Sequence, residues 1–168
     1  MPKGGLNPEW KQHQTEISGY HPVVSGVVFA HLTEGEGHGA TMDVNTGDFV
    51  DVKDPSKDTY LVGKEPDTEG KPIPTAPLAA GQTFMRFPEM VRNIRNATGG
   101  REGASIGSWR KDSGEVDIDA SAQEPDLAKA MEKARVRNEE AIWSTKKFRK
   151  SGYTNGDIKN PFYQPPKE

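Results

Sequence analysis

The chain lacks cysteine altogether. Disulfides, thiolate zinc sites, iron–sulfur clusters and thiol nucleophiles are therefore excluded, and the usage fits a reducing compartment. Long apolar runs are missing too. The longest, around Val27–Ala30, falls far short of the ~20 residues a bilayer-spanning helix requires. The first residues, Met1-Pro2-Lys3-Gly4-Gly5, show no signal-peptide pattern. These features lead to the expectation of a soluble protein with no membrane contact. An excess of positive charge is also lacking. The 22 basic side chains are outnumbered by 25 acidic ones, for a net charge of -3. A generic nucleic-acid binder usually carries the opposite imbalance, so nucleic acid is the less favoured partner. Apolar residues are sparse at 32%, and 13 prolines and 18 glycines dilute them further. That composition suits one domain with polar, extended segments attached.

Pattern along the chain divides it into three parts. Residues 1–19 are polar and aperiodic, with Trp10 their only large side chain, and read as an N-terminal arm. Residues 20–150 read as one compact α+β domain with a Pro-rich loop at 64–81. Residues 151–168 read as an extended C-terminal arm. Within the domain the β-branched run Val23–Ala30 predicts a strand. Ala40–Val44 and Phe49–Lys53, joined by Asn45-Thr46-Gly47-Asp48, predict a hairpin. Tyr60–Gly63 predicts a further short strand. Phe87, Met90, Val91 and Ile94 recur at helical spacing and predict a helix over 88–97, opened by Pro88 and closed by Gly99-Gly100. Ser105–Arg110 and Glu115–Asp119 flank a second turn, with Val116 and Ile118 facing the core and Asp117 and Asp119 the other side. A long helix is expected over 125–145, burying Leu127, Met131, Ala134, Asn138, Ala141 and Ile142. The expected fold is α+β: a small mixed sheet of about four to six strands, two helices on one face, and the two arms.

No motif declares a reaction. The glycine run Glu34–Gly39 lacks the Gly-Lys-Ser/Thr ending of a phosphate loop and carries two glutamates. His31 and His38 could join Asp43 at a metal only if the fold gathered them, and the four histidines form no ligand pair at motif spacing. No metal or cofactor is expected. Asp117 and Asp119 share one strand face, where paired carboxylates can hold magnesium or exchange protons; a solvent-facing hairpin explains them as simply. The sharpest charge feature is Lys146-Lys147-Phe148-Arg149-Lys150. Its cations suit phosphates, an acidic rim, or the negative end of a preceding helix dipole. After it come Tyr153, Phe162 and Tyr163 among prolines, the chemistry of a segment docked in a partner's groove. These eight residues are the expected partner-binding set; catalytic residues are not assigned.

Ile106-Gly107-Ser108-Trp109, then Val116-Asp117-Ile118-Asp119-Ala120-Ser121, then Asn138-Glu139-Glu140-Ala141-Ile142-Trp143 carry a pattern. Together with Gly39–Asp43 and Tyr60–Gly63 upstream, they resemble a small domain found in phage and prophage proteins. The pattern departs from the family at Ser108, where a second glycine is usual, and at Glu139, where glutamine is usual. The resemblance implies a phage-related origin, and with it a place in a host cytoplasm or a virion, and no reaction type. Two functions follow as expectations. One is a non-enzymatic structural or accessory protein of a phage, binding a protein partner or further copies of itself through its arms. The other is a nucleic-acid-acting or toxin-like enzyme using the basic cluster and carboxylates.

Overall fold

The computed structural model describes residues 21–35, 37, 39–50, 58–151 and 155–167. The expected N-terminal arm, Trp10 and the Tyr153 contact lie outside them, as do His38 and residues 51–53 of the expected second hairpin strand. The α+β expectation holds. Helix α1 (Pro22–Ala30) runs into a π-helical turn (His31–Gly35) and strand β1 (Gly39–Asp43). Strand β2 (Tyr60–Val62), helix α2 (Thr83–Ala97), β3 (Ala104–Arg110) and β4 (Val116–Glu124) follow. Helix α3 (Leu127–Arg137), β5 (Ala141–Ser144), the short helix α4 (Thr145–Lys150) and β6 (Asp157–Lys159) complete the order. The strands form one six-stranded sheet, β1-β3-β4-β2-β5-β6, and every pairing is antiparallel.

Among the described residues, register places the three longer helices on one face. Ile106 pairs Met42 and Ala120, Ala122 pairs Val62, and Ile142 pairs Ile158. These positions alternate with the outward set, so one face carries the apolar side chains. Over β1, β3 and β4, Phe29 of α1 and Phe87, Val91 and Ile94 of α2 cover Met42, Ile106, Val116 and Ile118. Over β2 and β5, Ala130 and Ala134 of α3 cover Val62 and Ile142. Leu78, at the end of the expected loop, exchanges two backbone hydrogen bonds with Val116 and joins the core.

Three segments differ from their sequence reading. Val23–Ala30 is α1 rather than a strand. Valine is a weak helix former, but local capping and tertiary packing outweigh that. Pro22 opens the helix, and the His21 Nδ1 accepts from the Val23 and Val24 N–H groups. Ser25, Gly26 and Phe29 form the buried stripe. A side chain at Gly26 would press on Phe87, its Cβ 3.3 Å from the ring, so glycine permits the close α1–α2 approach. The second helix starts at Thr83, not Pro88, so Pro88 is interior. The third ends early: Asn138 turns left-handed at φ 51°, and Ala141–Ser144 becomes β5, where helix had been expected to 145.

The C-terminal segment also departs from a free arm. Ile158 pairs Ile142 in the edge strand β6. Beyond it, Asn138 Nδ2 donates to the Gln164 carbonyl at 2.8 Å, while Gln164 N–H donates back to Asn138 Oδ1 at 2.9 Å. The left-handed cap of α3 thus pins the chain's last turn onto its own domain.

Candidate functional site: the open face of the sheet

Opposite the helices, the sheet presents a second surface. Its outward positions are Gly39, Thr41 and Asp43 on β1, Ser105, Gly107 and Trp109 on β3, and Asp117, Asp119, Ser121 and Gln123 on β4. Leu61 of β2 and Trp143 of β5 continue it. Asp117 and Asp119 therefore stand on the side that alternation foretold.

This face is coiled rather than flat. Trp109 and Trp143 stand on strands separated by β4 and β2, which in a flat sheet puts them roughly 14 Å apart sideways. Their ring centroids are 6.2 Å apart, edge to face. The contact requires both side chains to lean inward and the sheet to coil beneath them. Trp143 also meets Phe148 of α4, centroids 4.8 Å apart. The aromatic of the basic cluster is therefore structural in part, seating α4 against β5. Thr41, Asp43, Ser105, Ser121 and Leu61 are buried although none of the longer helices among the described residues lies over them.

Polar groups line the trough. Gln123 Nε2 donates to Asp43 Oδ2 and Ser105 Oγ, each at 2.8 Å. Asp43 Oδ1 accepts from the N–H groups of Asn45 and Thr46, so this carboxylate is occupied by the turn after β1. Ser121 Oγ is buried without a hydrogen-bond partner. Beside it, Asp119 meets a carboxylate that the sequence reading did not pair with it. Asp119 Oδ2 and Glu139 Oε1 each lie 2.7 Å from the point where a Cβ on Gly63 would sit. Twice that distance is the most that can separate the two oxygens, and any side chain at residue 63 would collide with both. Lys64, left-handed at φ 56°, directs its Nζ to within 3.9 Å of Glu139 Oε2.

Burial pushes the Asp119 carboxyl up to about 6; the Lys64 N–H opposes this, and the Glu139 charge adds to it. Burial likewise raises Glu139, against the pull of Lys64 and Arg137. Asp119 is nonetheless exposed to water at the sheet surface, so the effect on stability is small. Its sign is fixed. A carboxyl raised from 3.8 to about 6 favours the fold below the lower value and loses that advantage as pH rises through the higher. Asp119→Asn is expected to be more stable than the parent above pH 6 and equal to it below pH 3.8. Denaturant melts across that range check this; a parent more stable than the variant at the alkaline end contradicts it.

The partner-binding set expected from sequence is spread out. Lys146, Lys147, Arg149 and Lys150 ride on α4, which Ser144 caps by accepting from Lys147 N–H. Lys147 Nζ donates to the Asp157 carbonyl, tying α4 to β6. Asp58 accepts from the Lys146 N–H and from Ser144 Oγ, fixing the start of the helix. Phe162 is 64% exposed, while Tyr163 is half-buried, its N–H bonded to the Asn160 carbonyl. Among the described residues, no three His, Asp or Glu side chains converge as metal ligands, and no helix is long and apolar enough to cross a membrane.

A third surface was missed by sequence reading because its residues had been assigned to a strand. The outer side of α1 exposes Val23 (56%), Val27 (52%) and Val28, and the neighbouring end of α2 exposes Phe84 and Met85 (77%). Phe84 lies against Gly26, within 3.5 Å of where its Cβ would be, joining the two helices' apolar residues into one patch. No protein-family model matches the chain, and neither a curated protein nor a solved structure does.

Proposed function

We propose that this chain is a non-enzymatic, phage-related virion or accessory protein that works by protein–protein contact, engaging a second copy of itself through the outer side of α1 and α2. One observation carries the reading. A nine-residue helix with no charged side chain turns three valines to solvent beside Phe84 and Met85. A helix apolar on both sides ordinarily has something against each. Its exposed valines, Phe84 and Met85 carry no charge, and such a stripe suits two-fold contact with its own copy. The phage link is supported by the resemblance of β3, β4 and β5 to the phage and prophage domain. Exposed Phe162 supplies a second contact, so the expected tail contributes while remaining pinned to its domain. Sedimentation velocity over a concentration series tests the reading. The full chain is expected to self-associate, and Val27→Lys combined with Met85→Lys to sediment as a monomer with an unchanged melting temperature. A monomeric parent at the highest concentration, or association that survives both lysines, refutes it.

A further inference from the structure

Just before the core residue Leu78 the chain runs through Lys71-Pro72-Ile73-Pro74-Thr75-Ala76-Pro77. Proline holds φ at about −65° and keeps the residue before it out of the helical region. Each of these residues except Thr75 is a proline or precedes one, so the backbone is restricted to extended conformations almost throughout. None is helical, and none has a positive φ. Residues 73–77 make no hydrogen bond to any other described residue. An extended, proline-rich run without internal hydrogen bonds is a polyproline II helix, whose turn of about three residues sets Lys71, Pro74 and Pro77 on one ridge.

The segment is clamped at both ends. Asp67 N–H donates to the Lys71 carbonyl at 2.8 Å, and Lys71 N–H donates to Asp67 Oδ1 at 2.9 Å. At the other end Leu78 exchanges bonds of 2.8 and 2.9 Å with Val116 of β4. Between the clamps Ile73 packs against the core, while Pro74, Thr75, Ala76 and Pro77 are exposed. Beside the segment a cleft of about 660 Å³ opens towards α3, walled by Pro72, Ile73 and Val136.

We infer that residues 71–77 are a preformed ligand for a partner protein that reads polyproline helices through an aromatic-lined groove with an acidic rim, a contact separate from the helix face. Proline rings pack between the aromatic side chains of such a groove, and the free carbonyls of the segment accept from its Trp N–H or Tyr O–H. The cleft leaves room for a partner ring on the inner side of the segment, against Pro72 and Val136. Lys71, on the proline ridge, meets the acidic rim. Its ion pair with Glu69, 3.2 Å long, joins two side chains more than 70% exposed, so it yields at little cost. The clamps have already removed chain freedom that a loose proline-rich peptide loses on docking. Nucleic acid suits the segment less well, because Asp67 and Glu69 stand beside its single lysine.

Titration of the full chain against a panel of purified SH3 and WW domains, which read this helix through aromatic grooves, tests the inference by calorimetry. At least one domain is expected to bind with a Kd of about 100 μM or tighter, and Pro74→Ala combined with Pro77→Ala to weaken it by about tenfold. Lys71→Glu reverses one exposed charge and is expected to weaken the same domain by about threefold or more, which keeps the test valid if the proline variant fails to fold. The inference is overturned if no domain of the panel binds, or if binding survives either variant undiminished. It is equally overturned if oligothymidylate binds the parent and loses its affinity in Lys71→Glu while the domains do not bind. The helix-face lysines leave this segment untouched, so its failure is independent of the self-association reading.

Discussion

Replacing Phe87 by alanine is expected to cost about 3–5 kcal/mol, the range for emptying a fully packed aromatic site. Phe87 is fully buried, and its ring centroid lies 4.7 Å from that of Phe29. It touches the side of α1 that Gly26 keeps clear, so its loss opens a cavity between both helices and the sheet. The surroundings cannot close over it, because Phe29 and Val91 are themselves held against β1 and β3. Domains of this size are stable by only about 5–15 kcal/mol, so the variant should melt far below the parent. Met85, two residues away and 77% exposed, is the control; Met85→Ala should change stability by no more than about 0.5 kcal/mol. Equal effects of the two substitutions in urea denaturation would mean that the helix has been turned to the wrong face.

The second large effect is electrostatic. Glu65 is 3% exposed and is the meeting point of two guanidinium groups. Arg101 reaches its Oε1 at 2.7 Å and Arg137 at 3.1 Å. Both arginines also bond backbone carbonyls, Arg101 those of Pro66 and Asp67, Arg137 that of Gly63. The cluster thus ties the entry of the Pro-rich loop to the end of α3. Glu65→Leu should cost about 3–5 kcal/mol, mostly by stranding Arg137, whose side chain is only 15% exposed. Arg101, at 37%, can turn to water. Adding Arg137→Leu should therefore recover most of the loss, since an apolar pair replaces a broken ion pair at little net cost. A double variant as unstable as the sum of the singles would show that the arginine matters for packing rather than charge.

Much of the framework was legible because it is local. Phe87, Val91 and Ile94 announce α2 by spacing alone, and Val116 and Ile118 announce the inward side of β4. Lys111–Glu115 closes the predicted turn with a backbone bond between its ends. What was misread depends on distant partners. The valines of α1 carry β propensity, and only contact with α2 makes Ser25, Gly26 and Phe29 a helical stripe. At Asn138 a composition that looks helical on both sides conceals a left-handed residue and a strand; the β-branched and aromatic pair Ile142-Trp143 was the signal available. The tail read as an arm because the clamp between Asn138 and Gln164 spans the whole of β5, α4 and β6.

The candidate site divides the same way. Sharing of one face by Asp117 and Asp119 follows from period two. The meeting of Asp119 with Glu139 does not, because it needs β2 to lie between β4 and β5 with a glycine at residue 63. Trp109 and Trp143 are ordinary large residues in sequence, and coiling of the sheet is what brings them to one trough. The polar floor is invisible in sequence for a related reason: serines and threonines on alternate positions read as solvent-facing until the sheet closes over them.

Everything placed on the open face depends on that coiling, and the Trp109–Trp143 contact reports it directly. A double-mutant cycle with Trp109→Ala, Trp143→Ala and both together, followed by urea denaturation, isolates the coupling between two rings on non-adjacent strands. Edge-to-face rings in contact should couple by about 0.5–1.5 kcal/mol in the stabilising direction. Strictly additive single effects would contradict the trough, since they would leave the two indoles on separate parts of a flat sheet.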